Sequence, residues 1–316
     1  GPTANPVTSG GAASNLTPSS RRLFTDNGAL LVPLSEANIT KLQLGNAAMT
    51  DAYKAQLISY IQGYGPDGIT PRNSMGDILH SKPTVVSYND KQVLFFGTNE
   101  GYLHAINTAD SDVTGLSGSG GMEIFAYMPS SLLSNIEGIK KNVERTQPTK
   151  RIYGLDGPIA SWIIDNNKNG KVDAGNGDKA YLFFGLRRGG SHYYALDITD
   201  PNNPNLVWSI GRHGAFSGLG ESWSKPVLAK LRYKDAGITK LENVLVFGGG
   251  YDNRIDDAVV ANSGSPIRDV QGNGIYIVNA KTGKLIWSYV GGDLKYSISG
   301  ASRTSDVDRA GALDRL

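Results

Sequence analysis

The chain repeats itself. From about residue 76 a four-part pattern recurs three times, at a spacing of about 70 residues. Each unit opens with an extended segment around a proline: Ser81–Val86 with Pro83, Asp156–Ala160 with Pro158, and Ser224–Leu228 with Pro226. An apolar run ending on glycine follows, at Val93–Gly97, Tyr181–Gly185 and Val244–Gly248. A third run ends on Asn or Asp, at Tyr102–Asn107, Tyr193–Asp197 and Ile275–Asn279. A fourth carries an aromatic residue, at Glu123–Tyr127, Leu206–Ser209 and Leu285–Tyr289. Short apolar runs bounded by Pro, Gly and Asx read as strands. Four strands per unit, none able to bury both faces of its own sheet, predict stacked propeller blades. The expected fold is therefore mainly β, a partial β-propeller of four-stranded antiparallel blades with helical insertions.

The rest of the chain fits around that repeat. Residues 1–20, rich in Ser, Thr, Gly, Ala and Asn, read as a mobile arm, with Gly1 and Pro2 as a protease-cleavage scar. Residues 21–75 hold two short strands, Arg22–Phe24 and Ala29–Leu34, and a helix from Asp51 to about Gln62. Thr50 is its N-cap, Gly63 its stop, and Tyr53, Leu57, Tyr60, Ile61 and Tyr64 its apolar face. Residues 76–316 hold three complete blades, and a fourth begins at Ser299–Ser302 and is cut off at Leu316, so further blades are expected to complete the ring. Insertions lengthen the units: Pro129–Thr146, a helix with Leu132, Leu133, Ile136 and Ile139 inward, and the Asn- and Gly-rich Asp252–Gly272. Forty glycines among 316 residues suit many short strands joined by turns. A net charge of +2 gives no basic field for nucleic acid, and no apolar run is long enough to span a membrane. Without cysteine there is neither disulfide nor thiol chemistry.

The remaining insertion carries the clearest chemistry. Asp165, Asn167, Asn169 and Asp173 place oxygen-bearing side chains at positions 1, 3, 5 and 9 of an EF-hand-type loop. Gly170 falls at the sharp turn, and Lys171 offers a backbone carbonyl at position 7. Position 12 is Asn176 where a full EF-hand has a bidentate Glu, and Asp178 lies two residues on as a substitute. Ser161–Ile164 leads into the loop and Lys179–Phe184 leads out, so the expected setting is a β-hairpin. The competing reading is a polar hairpin turn, since Asn, Asp and Gly are common turn formers. Asp306–Asp314 repeats the register with Ala310 in a ligand position, a weaker second candidate.

Two resemblances emerge from these motifs. Phe96–Asn107 and Asn279–Trp287 resemble the repeat of quinoprotein alcohol dehydrogenase-like propellers. Met75–Pro83, which reads Met-Gly-Asp-Ile-Leu-His-Ser-Lys-Pro, resembles the entry segment of the PilC/PilY family of type IV pilus tip-associated adhesins. Gly185–Asp197, with its Arg-Arg-Gly-Gly and Tyr-Tyr-Ala-Leu-Asp, is similar to a blade of that family, and the oxygen-rich loop lies between the two. The resemblance implies a secreted protein at the bacterial surface, the pilus tip or the outer membrane. It implies a quinoprotein-like C-terminal propeller that binds Ca2+ through Asp165, Asn167, Asn169, the Lys171 carbonyl and Asp173. It further implies control of pilus extension against retraction, support of attachment and twitching motility, and contact with pilins and a host-cell surface receptor. Asn169 departs from a frequent Asp, and no Arg-Gly-Asp integrin motif is present.

Enzymatic readings are weaker. A quinoprotein dehydrogenase needs an axial cofactor pocket and a catalytic carboxylate, and the adjacent Cys pair that floors such a pocket is absent. His80, His104, His192 and His213 have no zinc spacing and read as strand or turn packing. No nucleophile elbow or phosphate loop occurs. Arg187 and Arg188 read as a solvated basic turn, with a pilin contact or a salt bridge to the loop carboxylates as the alternative. Trp208, Trp223 and Trp287 read as blade packing. The expectation is a non-enzymatic protein; a dehydrogenase fragment and a purely structural scaffold are the alternatives.

Overall fold

The computed structural model describes residues 11–89, 91–109, 120–141, 151–256, 268–304 and 312. Its strands form three separate sheets. The first contains β1 (Leu23–Asp26), β2 (Leu31–Pro33), β3 (Thr84–Tyr88), β4 (Lys91–Gly97), β5 (Leu103–Asn107) and β6 (Glu123–Tyr127), in the order β2-β1-β6-β5-β4-β3. The second contains β7 (Ile159–Ile164), β8 (Lys179–Gly185), β9 (Tyr193–Asp197) and β10 (Asn205–Ile210), in the order β10-β9-β8-β7. The third contains β11 (Val227–Asp235), β12 (Ile238–Gly248), β13 (Gly274–Asn279) and β14 (Leu285–Val290), in chain order. The chain divides into two compact units: Gly1–Asp156, Ile163–Tyr181 and Asp197–Leu206 in one, and Gly157–Trp162, Leu182–Leu196 and Val207–Leu316 in the other.

The repeat thus becomes four-stranded antiparallel meanders, and a closed ring is not formed among the described residues. Residues 299–304 carry no strand, and most of the fourth expected unit lies outside the described residues. In each meander the strand begins one residue after the proline, at Thr84, Ile159 and Val227. Proline has no N–H for a ladder, so it is tolerated at the threshold of a strand. The second strand ends on its glycine, at Gly97, Gly185 and Gly248.

Those three glycines mark a shared crossing. A β-carbon at Gly97 would lie 2.4 Å from the Leu155 carbonyl oxygen, at Gly185 2.5 Å from that of Ser222, and at Gly248 2.3 Å from that of Ile298. Each of these carbonyls belongs to the chain a few residues ahead of the next unit's start. Serines hold the same corners. The Ser81 hydroxyl accepts Gly97 N–H at 2.7 Å, and the Ser224 hydroxyl accepts Gly248 N–H at 3.0 Å.

The first sheet gains two strands from the segment ahead of the repeat. β1 pairs parallel with β6, Leu23 opposite Ala126 and Phe24 opposite Tyr127. Phe95, Ala105 and Phe125 lie opposite one another on β4, β5 and β6. The small Ala105 leaves the Phe95 and Phe125 rings 6.3 Å apart, and Phe24 meets Phe125 edge-on at the same distance. Each fully buried ring stabilises the sheet by about 1.5–3 kcal/mol. The helix Asp51–Gln62 starts and stops where its caps dictate. Thr50 Oγ1 accepts Tyr53 N–H at 3.1 Å, and Gly63 takes φ 114°. The helix buries Leu57, Ile58, Tyr60 and Ile61. In the insertion after β6, Leu132, Leu133 and Ile136 are buried, while Ile139 is half-buried.

A buried ionic cluster joins the lead-in segment to this sheet. Arg21 Nε and Nη2 donate to both oxygens of Glu123 at 2.7 and 3.0 Å, and His104 Nδ1 lies 2.7 Å from Glu123 Oε1. The three side chains are 1–4% exposed. Burial pushes the Glu123 carboxyl up, but the Arg21 guanidinium and the His104 hydrogen bond outweigh it and hold the group at about 2.

Gly97→Ala and Gly248→Ala each force backbone to move and should cost about 1–3 kcal/mol in denaturant unfolding. Gly300→Ala, with nothing within 4 Å of the added carbon, is the near-neutral control. Glu123→Gln leaves Arg21 buried without its anion and should cost about 3–5 kcal/mol at neutral pH. Because the folded carboxyl lies below its ordinary 4.5, the wild-type advantage is complete above that value and is lost as pH falls through about 2. A stability gap between the two proteins that stays constant down to acid pH would contradict the ion pair.

Candidate calcium loop

The oxygen-rich segment connects β7 to β8, which are neighbours in the second sheet, so the expected hairpin setting is found. Its first half folds around its own side chains. Asp165 Oδ1 accepts Asn169 N–H at 3.2 Å, and Oδ2 accepts Gly170 N–H at 2.7 Å. Asn167 Oδ1 accepts Asn169 N–H at 3.1 Å, and Asn169 Oδ1 accepts Lys171 N–H at 2.9 Å. Four oxygens from three side chains at alternate positions are thereby gathered on one backbone stretch, 169–171. The turn depends on Gly170 at φ 78° and Lys168 at φ 58°. A β-carbon is disfavoured at such angles, which is why glycine stands at the sixth position.

Asp173 is turned the other way. Its Oδ1 accepts Gly175 N–H at 2.9 Å and its Oδ2 accepts Asn176 Nδ2–H at 3.0 Å, capping the short helical turn Ala174–Asn176. The structure therefore brings Asp165, Asn167 and Asn169 together and commits Asp173 to the following turn. Lys171 is half-buried and follows Gly170 around the bend. Asp178, fully buried, serves as a latch: Oδ1 accepts Asn166 N–H at 2.9 Å and Oδ2 accepts Asp173 N–H at 3.0 Å. It closes the two ends of the loop on each other. A further backbone bond, Val172 N–H to the Ser87 carbonyl at 2.8 Å, ties the loop to the end of β3.

The donor set suits a hard cation. All five candidate residues supply oxygen, and each carboxylate or amide oxygen that accepts one N–H keeps a second acceptor direction. Among the described residues no three His, Asp or Glu side chains are arranged as a metal-holding group. A metal here would rely on the amide oxygens of Asn167 and Asn169 and on a backbone carbonyl beside the carboxylates. The second candidate, Asp306–Asp314, lies outside the described residues apart from Ala312.

Other residues singled out in the sequence find their places. His80, in the entry motif, has Nδ1 2.8 Å from the buried Asp156 Oδ2, whose Oδ1 accepts Asn99 Nδ2–H at 3.3 Å. Asn99 also donates to Asp77 Oδ2 at 3.3 Å and accepts Gly154 N–H at 3.2 Å. Within one compact unit the motif thus ties the start of the first repeat to the start of the second repeat, a role that no spacing announced. Arg187 and Arg188 do not form a plain solvated turn; their guanidiniums lie 4.0 and 4.8 Å from the Trp223 ring centre. Trp208 is packing, as expected, against Phe183 with Nε1–H donated to the Ala280 carbonyl. Trp287 is 45% exposed, because it sits on the edge strand β14.

Asp178→Ala should leave the Asn166 and Asp173 amides without their acceptor, at about 1–3 kcal/mol for each group that water does not reach. Hydrogen exchange should show faster exchange at residues 166 and 173 with the sheet amides of β8 unchanged. Unchanged exchange at both amides would contradict the latch.

No family model matches the chain. It is 28% identical over 226 residues to a type IV pilus biogenesis factor PilY1 homolog of Xylella fastidiosa, covering 61% of this chain and 16% of that protein. It is 27% identical over 222 residues to the type IV pilus biogenesis factor PilY1 of Pseudomonas aeruginosa strain PAO1, with the same coverage. The PilY1 of strain UCBPP-PA14 is 25% identical over 293 residues, 79% of this chain and 22% of that protein. The crystal structure of the P. aeruginosa PilY1 C-terminal domain aligns with 72% of this chain and 36% of that one, at a TM-score of 0.42 and 22% identity. The chain therefore spans about a sixth to a fifth of the length of these curated relatives. Over the matched region it is a homologue of the PilY1 type IV pilus biogenesis factors, the kinship its entry and blade motifs imply.

Proposed function

We propose that this chain is a calcium-binding part of a type IV pilus biogenesis factor that acts at the bacterial surface without catalysing a reaction. The observation that carries the calcium reading is the gathering of the Asp165, Asn167 and Asn169 oxygens on backbone 169–171. The similarity to PilY1 proteins carries the pilus reading. In this account Asp165, Asn167, Asn169, the Lys171 carbonyl and Asp173 hold Ca2+. The bound ion would replace the loop's own weak closure with a divalent centre and stiffen the β7–β8 connection. Asp173 would reach the ion with the acceptor directions left over from its cap. The protein's partners would be pilins, and the loop would bias pilus extension against retraction, supporting attachment and twitching motility. The sheets would be blades of a quinoprotein-like propeller completed by further strands. No helix among the described residues is long and apolar enough to cross a membrane.

Asp165→Ala removes the position-1 carboxylate and the acceptor of two loop amides. It should abolish calcium binding while the sheets keep their circular dichroism. Pulldown of pilins by the full-length protein should depend on added calcium in the wild type and lose that dependence in the variant, with fewer surface pili in cells. Normal calcium binding by the variant would overturn the ligand assignment. Calcium binding without any effect on pilin capture or surface pili would overturn the pilus role instead.

A further inference from the structure

We infer that the outer edge of β11 is a docking strand for an extended acidic protein segment, which it takes up by β-augmentation. β11 is nine residues long and lies at the edge of the third sheet. Along it Lys230, Arg232 and Lys234 alternate with Leu231 and Tyr233, and all three cations are exposed. None of them makes an ion pair or hydrogen bond among the described residues.

The register sorts charge between the two faces of this hairpin. Opposite Lys230, Arg232 and Lys234 stand Asn243, Leu241 and Thr239, so that face carries no carboxylate on either strand. The hairpin's acids lie on the other face: Lys240 Nζ donates to Asp235 at 2.6 Å, and the Tyr233 hydroxyl donates to Glu242 at 2.8 Å. Leu241, 54% exposed, sits beside Arg232 and offers an apolar footing.

The backbone adds the second requirement. The β11–β12 turn runs through Ala236 at φ 48° and Gly237 at φ 83°, the geometry of a two-residue type I′ hairpin. Such a turn closes on a hydrogen-bonded pair, here Asp235 and Ile238. In an antiparallel ladder hydrogen-bonded and non-hydrogen-bonded pairs alternate, so Lys234, Arg232 and Lys230 fall in the second class. Their N–H and C=O groups point away from β12, outward along the edge. The same three residues therefore present both cations and open ladder groups.

A strand added to this edge would pair with those residues directly, and residues directly opposite share a face. The matching occupant has a carboxylate at every second position, one for each cation. Lysine on an edge also deters a second copy, because like charges directly opposite repel. The edge is thus closed to self-pairing and open to an acidic strand, a mode of recognition in which main-chain bonds give affinity and alternate side chains give selectivity.

The test is fluorescence anisotropy with short labelled peptides and the whole chain. A peptide alternating glutamate with valine should bind, more weakly as salt rises. A peptide of the same composition with its glutamates in one block, and an alternating peptide N-methylated on its pairing edge, should each bind at least about tenfold more weakly. K230E/R232E/K234E should lose the acidic peptide and gain an alternating lysine–valine one, which also shows that the variant is folded. Failure of the alternating peptide to bind would overturn the proposal. So would equal binding of the blocked or N-methylated peptide, or a preference for anionic lipid vesicles, since each would mean a diffuse anion-attracting surface with no strand pairing.

Discussion

The close approach of backbone to backbone over Gly97, Gly185 and Gly248 sets the terms for the rest of this chain. At each crossing a carbonyl of the segment leading to the next unit lies within 2.3–2.5 Å of where a β-carbon would be. No other residue fits there without displacing main chain, and main chain is held by its ladders. The Ser81 and Ser224 hydroxyls then satisfy the glycine N–H groups that the crossing would otherwise strand. A four-strand meander of this kind has a fixed corner where the chain leaves, and the connections between its strands can vary in length. The oxygen-rich loop occupies one such connection, between β7 and β8, and so can change without disturbing the corner.

Much of this architecture is legible in the sequence because its punctuation is chemical. Pro83, Pro158 and Pro226 stand just outside strands, Gly97, Gly185 and Gly248 end them, and Thr50 and Gly63 bracket a helix. Each residue type has one physical reason to be there. The loop was equally legible, since the Asp, Asn and Gly spacing that suits a cation also suits the backbone bonds that the structure displays. Its limit is Asp173, whose carboxylate caps the next turn. A local cap two residues away competes with a ligand role, and spacing alone does not reveal the competition.

What escaped the sequence is contact between distant parts. The parallel pairing of β1 with β6 joins Leu23 to Ala126, and the buried Arg21, Glu123 and His104 come from three separate segments. The Asp156 carboxylate under His80 is of the same kind. Periodicity describes one segment at a time and carries no signal for such meetings. The Trp287 exposure was hidden for a related reason: its burial depends on which strand lies at the sheet edge. The charge asymmetry of the β11–β12 hairpin needed the register before its two faces could be told apart.

We propose that the β7–β8 loop binds calcium through Asp165, Asn167, Asn169, the Lys171 carbonyl and Asp173. Calorimetric titration of the chain with calcium and with magnesium tests it most directly. Two carboxylates and two amides give the site about two negative charges, a set that binds weakly compared with carboxylate-rich loops. One site of about micromolar affinity or weaker is expected, with magnesium weaker still because it dehydrates reluctantly and demands a tight octahedron. No calcium heat, or equal affinity for the two ions, would contradict it.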